Sequence, residues 1–363
     1  MSKNILIVGA DLTSNGGIAS VIKSHYKAYQ LKPYPFNLFL LKTNYYKDKT
    51  LLFEILILFK AFFCCLYYIL FKNVKVLHIH SSANISFFRK SIFVLIGKIT
   101  GRKVVLHLHS SDFYGFFLTQ NQILKKYISS VFSQVDKIIV LCSDWEEKLK
   151  QAYNIDHILK IANPIDLEDS SLSSKVVCNG AKRMFTLVFV GFLIESKGIK
   201  DLLEAMKQIN DKGYTNIKLI IAGKGELESY ILKFVAKNQL LNSVDFVGWV
   251  SGKAKDNLYK KSNTFILPSY KEGMPISILE AMNFGLPIIS SNISGIPDVI
   301  SVPRNGFLVT PGDVKQIVEA IIQCYEDEDL MKTMSKNNLE DIRNFSSHQV
   351  FNQITEIYSQ LLK

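Results

Sequence analysis

Two glutamates eight positions apart, Glu272 and Glu280, are the strongest chemical signal in this sequence. Glu272 follows the apolar run Thr264 to Leu267, Gly273 permits a turn, and Pro275 suits the first turn of a helix. Glu272 is therefore expected at a helix mouth beside unpaired amides, with Glu280 two turns along the same helix. One carboxylate can then meet a sugar and the other a ribose. The backbone of Gly273, Met274, Pro275 and Ile276 lies between them, facing phosphate or sugar oxygens. Glu280 could equally be a helix residue turned to solvent, but its neighbours Leu279 and Ala281 are apolar and argue for burial.

Three glycine loops add to this. Gly16-Gly17 lies between the strand-like Asn4 to Val8 and the helical stretch Ile18 to Tyr29, where free amides can approach a phosphate. It is not GxGxxG, so a nicotinamide site is disfavoured. Gly191 ends a second strand-like run, and Lys197-Gly198 follows at a helix entrance, placing a cation where a diphosphate leaving group would need one. Gly223-Lys224-Gly225 follows a third run, where glycines would let a planar base or ribose lie on the backbone. Each loop would also serve as an ordinary turn between strand and helix.

His78-Ile79-His80 and His107-Leu108-His109 both sit at strand ends, and residues two apart on a strand share a face. Such pairs could bind a metal, so a metal-dependent hydrolase is a rival reading, with Asp112 the nearby carboxylate. The only Asp-x-Asp, Asp327-Glu328-Asp329, falls in an acidic helical stretch and reads as a solvated turn rather than a manganese site.

The elements that must carry these residues are βα units. Short β-branched runs recur, each followed by a Gly- or Ser-containing loop and a helical stretch. Six fall in each half, from Asn4 to Ile161 and from Thr186 to Val309, which implies parallel sheets with ligand loops at their carboxyl edges. The chain of 363 residues is too long for one comfortable core. The division expected is an N-terminal domain over 1–168, a polar serine-rich linker over 169–182, a C-terminal domain over 183–345, and a final helix over 346–363 packing back toward the first domain. Both domains are expected to be Rossmann-like α/β, and if their carboxyl edges face each other the active site is a cleft.

With these residues in hand, the chain resembles the retaining GT-B glycosyltransferases of family 4, whose hallmark is a glutamate pair spaced as Glu272 and Glu280 are. The resemblance runs through Gly16-Gly17, His109, Asn163 to Asp166, Gly191 with Lys197, Gly223 to Gly225, Phe246 to Gly248, and Ser291 to Asp298. It implies that Glu272 contacts the donor sugar, Glu280 the ribose hydroxyls and Lys197 the diphosphate. It also implies that His109 lies near the transferred sugar and Gly17 beside the phosphates. It implies a nucleotide-diphosphate sugar as co-substrate, no metal or other cofactor, retention of configuration, and a saccharide or lipid-linked saccharide acceptor in cell-surface polysaccharide synthesis. The family has an arginine directly after the glycine that is Gly191; Phe192 stands there, removing one cation from the expected diphosphate clamp. A nucleotide-sugar epimerase of the same fold and a catalytically inert binding subunit remain alternatives.

The net charge of +11 is concentrated early: residues 1–170 hold 21 Lys and Arg against 12 Asp and Glu. That asymmetry points to an anionic partner, and the absence of zinc-finger, helix-turn-helix or RNA-binding signatures argues against nucleic acid. Leu51 to Phe71 is 21 residues long and almost wholly apolar, interrupted by Glu54 and Lys60. It is expected to pack on the sheet, with an interfacial helix or a membrane span as alternatives. The following stretch, Ser86 to Lys98, mixes aromatic residues with Arg89 and Lys90 and could lie on an anionic leaflet as the acceptor side. Five cysteines without a CxxC pair, and an N-terminus that runs directly into a strand, lead to the expectation of a cytoplasmic protein, peripheral on the inner face of the membrane.

Overall fold

The computed structural model describes residues 3–14, 16–43, 51–110, 113–167 and 184–363. The chain divides into two compact units, one built from residues 1–166 with 345–363, the other from 167–344. The serine-rich stretch 169–182 and Asp112 lie outside the described residues.

The first unit carries strands β1 (Lys3–Gly9), β2 (Phe36–Lys42), β3 (Val74–Ser81), β4 (Lys103–Leu108), β5 (Lys137–Val140) and β6 (Ile158–Lys160). All pair in parallel, in the order β2-β1-β3-β4-β5-β6. Its helices are α1 (Gly17–Gln30), α2 (Leu51–Phe71), α3 (Ile85–Ile99), α4 (Phe113–Thr119), α5 (Gln122–Gln134) and α6 (Ser143–Tyr153). The second unit carries β7 (Phe185–Val190), β8 (Ile217–Ala222), β9 (Val244–Gly248), β10 (Thr264–Leu267), β11 (Ile288–Ser291) and β12 (Gly306–Val309), ordered β12-β11-β10-β7-β8-β9. Its helices are α7 (Ile199–Asp211), α8 (Glu228–Lys237), α9 (Lys253–Lys261), α10 (Ile276–Asn283), α11 (Val314–Glu326) and α12 (Glu328–Asp341), and α13 (Ser347–Leu361) follows in the first unit. All twelve apolar runs form strands, and the inner ones of each sheet are largely buried on both faces, as the middle of a parallel sheet requires.

In each sheet the strand order reverses at one point, between β1 and β3 and between β7 and β10. A parallel α/β sheet opens a crevice beyond its carboxyl edge at such a point, since the connections leave in opposite directions. The loops after β7 and β10 carry Lys197 and Glu272.

Helix α13 completes the first core, laying Val350, Phe351, Ile354, Ile357 and Tyr358 against Ile5 and Ile7 of β1, Val76 of β3 and Val105 of β4. The segment Asn163 to Asp166 is where it is tied in. The Ile165 amide donates to the Phe345 carbonyl at 2.8 Å and the Ser347 amide to the Ile165 carbonyl at 2.9 Å. Asp166 accepts from Ser347 and pairs with Lys27 at 3.0 Å.

Candidate donor site and the histidine cluster

Glu272 is buried, 6% exposed, in the loop between β10 and α10. A carboxylate removed from water must be paired and hydrogen-bonded, and it is: Lys197 Nζ lies 2.5 Å from Oε1, and Ser269 Oγ donates to the same oxygen at 2.8 Å. The backbone brings these groups together from 75 residues apart. Gly198 sits at φ 71°, and a Cβ there would lie 2.0 Å from the Pro268 carbonyl oxygen, so only glycine lets the Lys197 loop close on the end of β10. The Tyr270 amide donates to the Ser196 carbonyl at 2.8 Å, and the Gly295 amide to the Gly273 carbonyl at 3.0 Å, tethering the Glu272 loop on both sides.

Glu280 lies on α10, partly buried, with Lys255 Nζ 2.5 Å from Oε1 and Tyr259 Oη donating to Oε2 at 2.9 Å. Burial, and after it the Glu280 charge, pushes the Tyr259 phenol well above its usual range, so it stays a donor. Pro275 takes the N-cap position of α10 rather than the first turn, and no side chain caps the helix. Met274 is buried beside it, and Ile276 opens the helix.

The third glycine loop packs closely against its neighbour. A Cβ on Gly223 would meet the Gly191 carbonyl oxygen at 1.9 Å, and one on Gly225 would meet that of Leu193 at 2.4 Å. These glycines let two neighbouring loops pack backbone to backbone. Gly191 itself has only the Phe189 ring nearby, at 3.4 Å. Phe192 is exposed, its ring centroid 5.7 Å from that of Trp249 and its plane tilted 33° to it, and Lys224 Nζ sits 5.1 Å over the Trp249 ring. The position of the usual arginine thus carries an aromatic surface, with a lysine on the next strand's loop.

In the first unit Gly16 adopts φ 142° directly before α1, with open space where a side chain would stand, and Gly17 begins the helix. His109 follows β4, its amide donating to the Ser81 carbonyl at 2.9 Å. Its Nε2 lies 2.8 Å from His80 Nδ1. Burial, reinforced by His25, lowers His109 to about 3, so its imidazole is neutral near neutrality.

Register explains the histidine cluster. His80 of β3 is level with His107 of β4, and His78 precedes His80 on the same face. Helix α1 lays His25 over them, and Tyr358 of α13 reaches His78 Nδ1 at 2.5 Å. One ring nitrogen each from His78, His80 and His107 falls within 4.8 Å of the others. The two pairs anticipated as metal-binding do converge, but His78, His80 and His107 are at most 1% exposed. A substrate cannot reach them, which removes the geometric support for a hydrolase. Asp327 caps α12 by accepting from the Leu330 amide at 2.9 Å, while Asp329 is exposed and pairs loosely with Lys332 at 3.5 Å.

Lys90 requires a correction. It was expected to present its charge to a membrane surface, but it is 3% exposed, its ammonium donating to Thr43 Oγ1 beneath α3. The cause is periodicity: Lys90 shares the inward face of α3 with Phe87, Phe93 and Val94. Burial, and after it neighbouring Arg89, lowers the amine to about 7. Arg89 is turned toward α2, 3.9 Å from Glu54.

Sequence reasoning missed Ser269, Lys255, Tyr259, Trp249, His25 and Tyr358. Lys255 and Tyr259 are four apart on α9, a spacing that puts both on one face and could have flagged a shared partner. Nothing local marks Tyr358, 280 residues from His78.

Two parallel six-stranded sheets, each reversing at a switch point, are the GT-B architecture. Residues 179–341 match the family of glycosyl transferases group 1. The chain matches that family through its second unit. It is 32% identical over 184 residues to the capsular polysaccharide biosynthesis glycosyltransferase CapM of Staphylococcus aureus, covering 49% of this chain and 47% of that relative. The aligned part is thus about half the length of that relative. Identity is 28% over 318 residues, 81% of this chain and 78% of the relative, with the UDP-Gal:alpha-D-GlcNAc-diphosphoundecaprenol alpha-1,3-galactosyltransferase of Escherichia coli. The fold matches sucrose-phosphate synthase from Thermosynechococcus elongatus with a TM-score of 0.79 at 18% identity, over 99% of both chains.

Proposed function

We propose that this protein is a retaining, metal-independent glycosyltransferase. It moves a sugar from a nucleoside diphosphate sugar to a saccharide or lipid-linked saccharide acceptor, in cell-surface polysaccharide synthesis at the cytoplasmic face of a membrane. The observation that carries the reading is the pairing of buried Glu272 with partly buried Lys197 at the switch point of the second sheet. A lysine there can neutralise the charge that develops on a departing diphosphate. Glu272, with Gly273 and the uncapped start of α10 beside it, offers an acceptor and amide donors to sugar hydroxyls. Glu280, flanked by Lys255 and Tyr259, suits the paired hydroxyls of a ribose. The exposed Phe192–Trp249 surface would carry the base, and Lys224 would supply the cation missing at Phe192. In the first unit, His109 is carried forward for the transferred sugar and Gly16-Gly17 for the phosphates.

In the proposed step the bond between the anomeric carbon and the diphosphate oxygen breaks, and its electron pair leaves with the diphosphate held by Lys197. The acceptor hydroxyl attacks from the same face, and its proton passes to the departing diphosphate. The relatives support the donor and acceptor classes, since the Escherichia coli protein's name specifies UDP-Gal and a diphosphoundecaprenol-linked GlcNAc.

Removing a transition-state charge partner typically costs about 10²–10³ in rate. Lys197→Ala and Glu272→Gln should each lower transfer by that order while far-ultraviolet circular dichroism stays unchanged. Full activity in both folded variants would refute the site.

A further inference from the structure

We infer that the first unit holds a structural zinc ion beneath its sheet edge, ligated by His78, His80 and His107, with His25 completing the tetrahedron. The assignment concerns folding of that unit and is independent of the donor site above.

Three observations carry it. The first is geometry: His78 Nε2 and His107 Nδ1 lie 3.3 Å apart. Two nitrogens each about 2.0–2.1 Å from a tetrahedral zinc stand roughly 3.3–3.4 Å apart. The ring centroids of the three residues are 4.5, 5.4 and 4.9 Å from one another, and His25 stands 5.8–6.4 Å from each on the remaining side.

The second is an imbalance of hydrogen bonds. Among the described residues, His25 Nδ1 and Nε2, His80 Nε2 and His107 Nε2 are buried and make none. Every neutral imidazole carries one N–H and one lone pair, and leaving such a group buried and unpartnered costs about 1–3 kcal/mol. An ion held by His78 Nε2 and His107 Nδ1 would also take the lone pairs of His80 Nε2 and of one His25 nitrogen, giving two of these four orphaned atoms a partner.

The third is the outer partners. Histidines that bind metals usually donate from the other nitrogen, which fixes tautomer and ring. His78 Nδ1 has the Tyr358 hydroxyl at 2.5 Å, and His80 Nδ1 has His109 Nε2 at 2.8 Å. Donation outward from both Nδ1 atoms leaves both Nε2 lone pairs facing inward. An all-imidazole set suits zinc. With all four rings at most 1% exposed, no position is open to substrate, so the ion would cross-brace α1, β3 and β4 and, through His80, hold the His109 ring in place.

The test is the metal content of the full chain, purified through a tag without histidines and measured by mass spectrometry. The expected result is about one zinc per chain. Cells grown in cobalt should give protein with the visible absorption of tetrahedral Co²⁺. His107→Gln should bring zinc to background and lower Tm. If that variant does not fold, His25→Gln, on the helix above, should lose zinc partially and weaken retention against chelator during unfolding and refolding. Metal-free wild type whose refolded Tm ignores added zinc would overturn the inference, as would full zinc retention in folded His107→Gln or in His25→Gln. A zinc-free protein that still transfers sugar sinks only this ion; a zinc-loaded protein that releases no nucleoside diphosphate sinks only the transferase reading.

Discussion

At the scale of single residues, the second unit pairs each of its two key carboxylates with a lysine and a hydroxyl. Lys197 and Ser269 converge on Glu272, and Lys255 and Tyr259 on Glu280. A charge held this way is stabilised only while its partners stay, so in the proposed transferase an incoming diphosphate would draw Lys197 away only if sugar hydroxyls compensate Glu272. That exchange ties binding to the right ligand. Lys90 is the opposite case. Among the described residues no carboxylate pairs with it, and Arg89 is the charge that bears on it. Its folded-state value, about 7, lies below the ordinary 10.5, so between these values the unfolded chain binds more protons than the folded one. Stability should therefore rise with pH through that window and be lowest below pH 7. Lys90→Met, which keeps the buried stem without the charge, should raise the urea midpoint at pH 6.5 by the equivalent of a few kcal/mol and raise it far less at pH 9.5. A gain equal at both pH values would contradict a charge-burial cost at Lys90.

At the scale of elements, α2 shows how one helix answers two demands. Ala61, Cys65 and Ile69 are buried on the sheet side, while Leu56, Phe59, Phe63, Tyr67 and Leu70 stay exposed at spacings of three and four. By length and composition the stretch Phe53–Phe71 could cross a membrane, but here its inner face packs on β2, β3 and α3. An exposed apolar stripe in a basic half of the chain suits the surface of an anionic bilayer. Phe59→Ser with Phe63→Ser should weaken binding to vesicles containing anionic lipid by roughly 1,000-fold, at about 2 kcal/mol per buried ring, without changing solubility for the worse. Unchanged co-sedimentation would leave that face without a membrane role. The elements themselves were legible: each strand announced itself as an apolar β-branched run, and Glu272 and Glu280 by their spacing. The inward turn of Lys90 was not, because a lysine in an amphipathic stretch reads as polar face until the neighbouring strands are known. Nor was the reason for Gly223 and Gly225, which lies in a carbonyl of another loop more than thirty residues away.

At the scale of the molecule, the two units repeat one design with different contents. The second unit's carboxyl edge gathers carboxylates, lysines and glycine loops that suit an activated sugar. The first gathers histidines and Gly16-Gly17, and it is closed by α13 from the far end of the chain. Long-range closure of this kind leaves no local trace, which is why Tyr358 and His25 were silent in the sequence while the βα rhythm was plain. The central claim is that the second unit holds a nucleoside diphosphate sugar and expels the diphosphate. The direct measurement is release of nucleoside diphosphate from a panel of nucleotide sugars, with chelator present and with a diphosphate-lipid saccharide as acceptor. The account predicts release from one donor, dependent on acceptor, insensitive to chelator because no exchangeable metal takes part, and lowered about 10²–10³-fold in Glu272→Gln. Release from none of the donors, or release undiminished in Glu272→Gln, would contradict it.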